Sequence, residues 1–128
     1  MFATRNRFHG TAALRWVYKG GQQARGRYMA IRVRSQRNQE VRVAVVVSRK
    51  VSKSAVVRNR IRRRLYEVIR TKLSTEATGL AIVVTVYDEV LKTLPIEELR
   101  RETERLLLKA RAMSNHPSER AIVKREGE

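Results

Sequence analysis

A single α/β sandwich of the α+β kind, with helices packed on a sheet of mixed strand direction, is the fold this sequence predicts. Three observations carry it. Hydrophobic residues make up 42% of the 128 residues, enough for one modest core and too many for disorder. Apolar periods of two and of 3.6 residues alternate along the chain in the order helix, strand, strand, helix, strand, helix. No internal repeat and no linker-like stretch divides it, so residues 1–113 read as one domain, followed by a polar, aperiodic C-terminal tail at 114–128.

The elements follow in order. Residues 1–10 are irregular and basic, with Arg5 and Arg7 around Asn6. Thr11 can cap a short helix over Ala12–Lys19, with Leu14, Val17 and Tyr18 on one face. Gly20-Gly21 is expected to end it in a left-handed conformation. Trp16 falls off the packing face, free to stack on a base or to cover a neighbouring loop. Tyr28–Arg34 alternates, with Met29, Ile31 and Val33 on one side and Tyr28, Ala30, Arg32 and Arg34 on the other. Residues 35–39 form a polar turn. Val41–Val47 is nearly all valine and reads as a central strand, paired with the preceding one as an antiparallel hairpin.

The densest signal is the stretch Arg49–Arg64. It holds eight basic residues, Arg49, Lys50, Lys53, Arg58, Arg60, Arg62, Arg63 and Arg64, and no acid. Val57, Ile61, Leu65, Val68, Ile69 and Leu73 recur at helical spacing, and Ser54 is placed to cap the helix they define. An ordinary solvated helix face mixes charge signs. Here Arg58/Arg62 and Arg60/Arg64 repel at i, i+4, at a cost of about a few tenths of a kcal/mol each. A rigid rod carrying that array matches a polyanion whose phosphates are themselves fixed, as in a folded RNA.

After a loop at 74–79, Leu80–Tyr87 is a strand apolar on both faces, and Asp88-Glu89 begins a turn. Thr93 and Pro95 open the last helix, with Glu97 and Glu98 in its first turn and Lys109 and Arg111 in its last. Its packing stripe is Ile96, Leu99, Leu106, Leu107, Ala110 and Met113.

The net charge of +17 is sorted by position. Residues 1–66 carry 18 Lys and Arg against one acid, Glu40, whereas residues 67–128 carry 11 of each sign. That pattern describes a partner-facing half and an ordinary solvated half. Cysteine is absent, so a disulfide framework and thiolate metal sites are excluded, in keeping with a cytoplasmic setting. The N-terminal residues have no apolar core of a signal peptide, no run approaches a membrane span, and no membrane partner is expected. Catalytic chemistry is sparse. His9 and His116 have no acidic partner at a telling spacing, the early glutamates of the last helix suit its N-terminus, and no Gly-rich phosphate loop occurs. No catalytic residue and no protein-bound cofactor or metal is therefore expected.

The segment Ser48-Arg49-Lys50, followed by Ala55-Val56-Val57-Arg58-Asn59-Arg60-Ile61-Arg62-Arg63, resembles the protein subunit of bacterial ribonuclease P. That family has a Ser-Lys-Lys type strand end and a helix opening Ala-Val-x-Arg-Asn-Arg. The likeness extends over about residues 4–112, through Arg5-Asn6-Arg7, Val17-Tyr18-Lys19, Gly21 and Arg27. It implies a left-handed βαβ crossover and an additional short strand near 22–27, giving α-β-β-(β)-α-β-α. It also implies a subunit that is monomeric alone and partners a large catalytic RNA, which with bound Mg2+ removes the 5′ leader of precursor tRNA. The RNA-binding residues carried over are Arg5, Arg7, Arg49, Lys50, Lys53, Arg58, Asn59, Arg60, Arg62, Arg63 and Arg64. The residues carried over to a cleft for the single-stranded leader are Leu14, Tyr18, Ala30 and Arg32. This chain departs from the family pattern at Ser52-Lys53-Ser54, where glycine is common, at Leu14 and Arg32, where aromatics are common, and at Tyr66, where a base is common. A structural RNA-binding protein of ribosomal type, a DNA-binding module and a self-sufficient nuclease are the competing classes. The helix-start motif favours the ribonuclease P reading over the structural RNA-binding protein, the strong sheet and the missing dimerisation seam count against the DNA-binding module, and the missing acid/base pair counts against the nuclease.

Overall fold

The computed structural model describes residues 11–35, 41–73 and 79–114. Three helices and four strands follow one another as α1 (Thr11–Gly20), β1 (Gln22–Arg25), β2 (Met29–Ser35), β3 (Val41–Val46), α2 (Ala55–Leu73), β4 (Leu80–Val86) and α3 (Ile96–Ser114), with a 3-10 turn at Glu89–Lys92. The expected arm at 1–10, most of the turn after β2, the loop after α2 and the tail beyond Ser114 lie outside the described residues. The short strand implied near 22–27 is β1.

The sheet order is β1-β2-β4-β3. β1 and β2 are antiparallel, as are β2 and β4, while β3 and β4 run parallel and are joined through α2. The expected β2–β3 hairpin is therefore not formed, and β3 is an edge strand rather than a central one. The reason lies in β4. All its residues but Thr85 are buried, so both its edges and both its faces are covered. β3 buries Val43 and Val45 and leaves its intervening residues partly exposed. Valine content marks both as strands but does not decide which is flanked on two sides.

Alternate residues of the strands serve two different layers. Met29, Ile31, Val33, Val43, Val45, Ile82, Val84 and Val86 face α2 and α3 in the main core. They meet Ile61, Leu65 and Ile69 of α2 and Leu99, Leu106, Leu107 and Ala110 of α3. Each such fully buried side chain contributes about 1.5–3 kcal/mol relative to exposure. On the opposite face, Ala81 and Val83 meet Val17 of α1, with Leu14, Ala44 and Val46 packed around them.

The expected α2 stripe forms at Ile61, Leu65, Val68 and Ile69, with Val57 partly buried against it, and Tyr66 is also buried; the Leu73 side chain lies outside the described residues. In α3 the stripe differs at its start. Ile96, at the first helical residue, is 42% exposed, and its place in the core is taken by Leu91 and Leu94 of the preceding segment. Thr103 completes the stripe by donating its hydroxyl to the Leu99 carbonyl at 2.7 Å. The Asp88 carboxylate accepts the Val90 amide at 2.9 Å, which makes the predicted turn.

Gly20-Gly21 does end α1, but not by a left-handed residue, because among the described residues positive φ occurs only at Gly79. The need at Gly21 is space. A Cβ there would stand 2.7 Å from the Val17 carbonyl oxygen and 3.0 Å from that of Val33, so only glycine lets α1 lie this close to β2.

Candidate nucleic-acid interface

The turn between β3 and α2 is built by serines. The Ser48 carbonyl accepts the amides of Val51 and Ser52 at 3.0 and 3.4 Å. The Ser52 hydroxyl accepts the Ser54 amide at 3.2 Å. The Ser54 hydroxyl then accepts the Val57 amide at 3.2 Å, which is the N-cap expected of it. Val51 packs on the core beneath. Ser52-Lys53-Ser54 thus replaces glycine with a chain of side-chain hydrogen bonds. The turn holds Arg49, Lys50 and Lys53 on its outer side, around a shallow pocket of about 410 Å³. All three are exposed.

On α2 the arginines divide by what their guanidinium groups touch. Arg58 donates to the Ser52 carbonyl at 3.0 Å and so ties the helix to its own turn. Arg62 donates to the Asn59 side chain. Arg64 donates to the carbonyls of Leu91 and Leu94 at 2.6 and 2.5 Å, and both bonds are partly buried. Burial, with Arg60 nearby, holds its pKa below the ordinary arginine value. Arg60 and Arg63 are exposed. Among the described residues, neither they nor Arg49, Lys50 and Lys53 have a carboxylate partner. They form the free array, on the turn and on the solvent face of a capped helix. A helix N-terminus adds its own positive end to such an array.

The residues expected to line a cleft come together on the other face of the sheet, under α1. Leu14 packs on the small core there, and Tyr18 reaches across to Thr85, hydroxyl to hydroxyl at 3.3 Å. Ala30 is 3% exposed and forms the floor rather than a contact surface. Arg32 is held by α1. Its guanidinium donates to the carbonyls of Tyr18 (3.4 Å) and Gly21 (3.0 Å) and to Oε1 of Gln23 (3.0 Å). It thereby closes the carbonyl end of α1, where a cation is favoured. Arg34 does the same one turn earlier, donating to the Trp16 carbonyl at 2.6 Å while its guanidinium lies 3.9 Å from the Trp16 ring centroid. Trp16 is thus stacked within the chain. No sequence signal marked Arg32 and Arg34 as the clamps of α1. Arg5 and Arg7 lie outside the described residues.

This geometry makes Arg32→Ala a stability variant. It is expected to remove about 1.5–3 kcal/mol of charge-assisted hydrogen bonding and to lower the melting temperature. A phosphate contact by Arg32 would instead leave melting unchanged and flatten the log–log salt dependence of RNA binding by roughly 0.7.

Beside α3 the surface is of mixed sign. A pocket of about 400 Å³ beside α3 is lined by Tyr28, Leu94, Glu98, Arg101, Glu102 and Arg105, and Glu102 pairs with Arg105 at 2.9 Å. Such alternation does not suit a polyanion. Among the described residues no three His, Cys, Asp or Glu gather to hold a metal ion, and no helix is long and apolar enough to cross a membrane.

A family model described as Ribonuclease P matches residues 2–111. A ribonuclease P protein component of Pseudanabaena sp. is 36% identical over 114 residues, covering 88% of this chain and 97% of the relative. The fold is similar to that of the RNase P protein of Staphylococcus aureus, with TM-score 0.71, 21% identity, and coverage of 82% and 94% of the two chains. The RNase P protein of Thermotoga maritima aligns with TM-score 0.65 at 23% identity, over 73% of this chain and 87% of its own.

Proposed function

Because the chain belongs to the ribonuclease P protein family, we propose that it binds the catalytic RNA of ribonuclease P and the 5′ leader of precursor tRNA. In this reading it assists hydrolytic removal of the leader and does not itself perform the chemistry. The observation that carries the RNA assignment is the free array of Arg49, Lys50, Lys53, Arg60 and Arg63, set on a capped rod whose other arginines are engaged internally. Fixed cations select a fixed arrangement of phosphates, whereas a loose basic segment would not.

The leader is assigned to the sheet face under α1. The ring of Tyr18 there carries a guanidinium beside it, with Arg32 5.7 Å from its centroid. Aromatic and guanidinium planes hold single-stranded bases without reading their sequence. The Mg2+ that the hydrolysis needs is assigned to the RNA, since the protein's described acids form no ligand cluster.

Two measurements test the reading. Purifying the tagged full-length chain from its host and sequencing the bound RNA should yield one dominant, large, structured RNA; ribosomal RNA in its place would favour a structural RNA-binding protein. RNA-free protein should leave precursor tRNA intact at physiological magnesium, and site-specific cleavage by the protein alone would overturn the assignment of chemistry to the RNA.

A further inference from the structure

Arg25, the last residue of β1, and Tyr87, the residue after β4, form an exposed ring–guanidinium pair at one end of the sheet. Arg25 lies with its guanidinium carbon 4.9 Å from the centroid of the Tyr87 ring. The strand register places both on the face that α1 occupies further along. Gln23 accepts from Arg32 on that face, and Arg25 is two residues on in β1. Thr85 meets Tyr18 there, and Tyr87 is two residues on from Thr85. The Tyr87 amide donates to the Tyr28 carbonyl at 2.8 Å, continuing the β2–β4 ladder and fixing the backbone from which the ring projects.

This pair differs from its neighbours along the same face in what the guanidinium does. Arg34 and Arg32 also lie beside rings, of Trp16 and Tyr18, but their N–H groups go to the carbonyls of α1. Arg25 is exposed, and among the described residues it has no hydrogen bond or ion pair. Its five N–H donors are free, and Tyr87 is 38% exposed. The nearby acids are occupied. Asp88 caps Val90, Glu89 lies 3.7 Å from Lys92, and Glu102 pairs with Arg105.

The same end of the sheet also carries the other free cations. Val46 pairs with Thr85, so the Ser48–Lys53 turn leaves β3 at the end of the sheet where Tyr87 leaves β4 and where β1 turns into β2. Arg25 and Arg27 therefore stand on one side of Tyr87, and Arg49, Lys50 and Lys53 on the other.

We propose that Arg25 and Tyr87 form a further binding step for single-stranded RNA, taking a leader nucleotide beyond those under α1: a base stacked on the ring–guanidinium pair, and its phosphate bound by the free N–H edge of Arg25. This rests on the leader assignment above. A stacked base is held by planes and not by its edges, so the step adds affinity with leader length and discriminates little among bases.

The test uses the holoenzyme reconstituted from the full chain and its RNA, with precursor tRNAs whose leaders grow one nucleotide at a time and mature tRNA as the reference. For the native chain, affinity should rise with leader length to a plateau. Arg25→Ala and Tyr87→Ala should follow the same curve for short leaders and then plateau early, about five- to tenfold weaker for long ones. Tyr87→Phe should restore the native curve, and melting temperatures should be unchanged. Variants that follow the native curve at every length, or lose equally on mature tRNA, would overturn this step while leaving the leader assignment intact. A native chain that binds precursor and mature tRNA alike would instead overturn the leader assignment, and this step with it.

Discussion

Ile61→Ala is expected to destabilise the fold by about 2–5 kcal/mol, while its neighbours Arg60→Ala and Arg63→Ala leave melting nearly unchanged and weaken RNA binding. The two outcomes arise within one helical turn. Ile61 is fully buried in the main core, so its truncation leaves a cavity that a close-packed interior fills only in part. Arg60 and Arg63 point to solvent, so each loses only a charge-assisted contact to RNA, of about 1.5–3 kcal/mol, when the partner is present. Thermal melting of the free protein and RNA affinity at two salt concentrations separate the pair. If all three variants unfolded alike, Arg60 and Arg63 would be structural residues and the free array would not exist.

The second large effect is expected at Arg64, which belongs to the same basic run but should behave like a core residue. Arg64→Ala leaves the carbonyls of Leu91 and Leu94 without a donor in a partly buried position. The expected loss is about 2–4 kcal/mol of stability. Leu91 and Leu94 themselves fill the core below, so the loss should spread to the 3-10 turn and the start of α3. Arg64→Lys should recover only part of it, because one ammonium cannot reproduce a planar fork spanning two carbonyls. Hydrogen exchange at the amides of Thr93 and Leu94, which donate to the Val90 carbonyl, reads this directly. A variant whose amides exchange at the native rate and whose RNA affinity falls would return Arg64 to the RNA-facing set.

These two cases mark where sequence reasoning succeeds and where it stops. The α2 stripe and the Ser54 cap are local, written at spacings of three and four residues, and they were legible. So was the division of the chain into helices and strands, except for β1, whose polar Gln22–Arg25 carries no strand signal and was implied only by the family resemblance. Arg64 was not separable from Arg60 or Arg63, because the carbonyls that engage it lie 27 and 30 residues away. Arg32 likewise reads as an outward strand residue until α1 is laid across it. Strand order failed for a related reason. Side-chain alternation reports which face is buried but not which neighbour covers the edge, and β4 entered the gap that a short connection would have closed. Positions whose partners are distant in the chain are the ones the sequence alone leaves open.

The place of β4 also bears on the order in which the molecule can be completed as it leaves the ribosome. β2 and β3 are both made before β4, yet neither pairs with the other. A nascent chain ending before Leu80 can assemble only the short β1–β2 ladder, with the far edge of β2 and the whole of β3 left open. The strongly basic α2 is finished at that stage, before the strand that anchors its layer exists. Closure of the sheet is therefore a late and long-range event, joining Met29 to Val86 across about half of the domain.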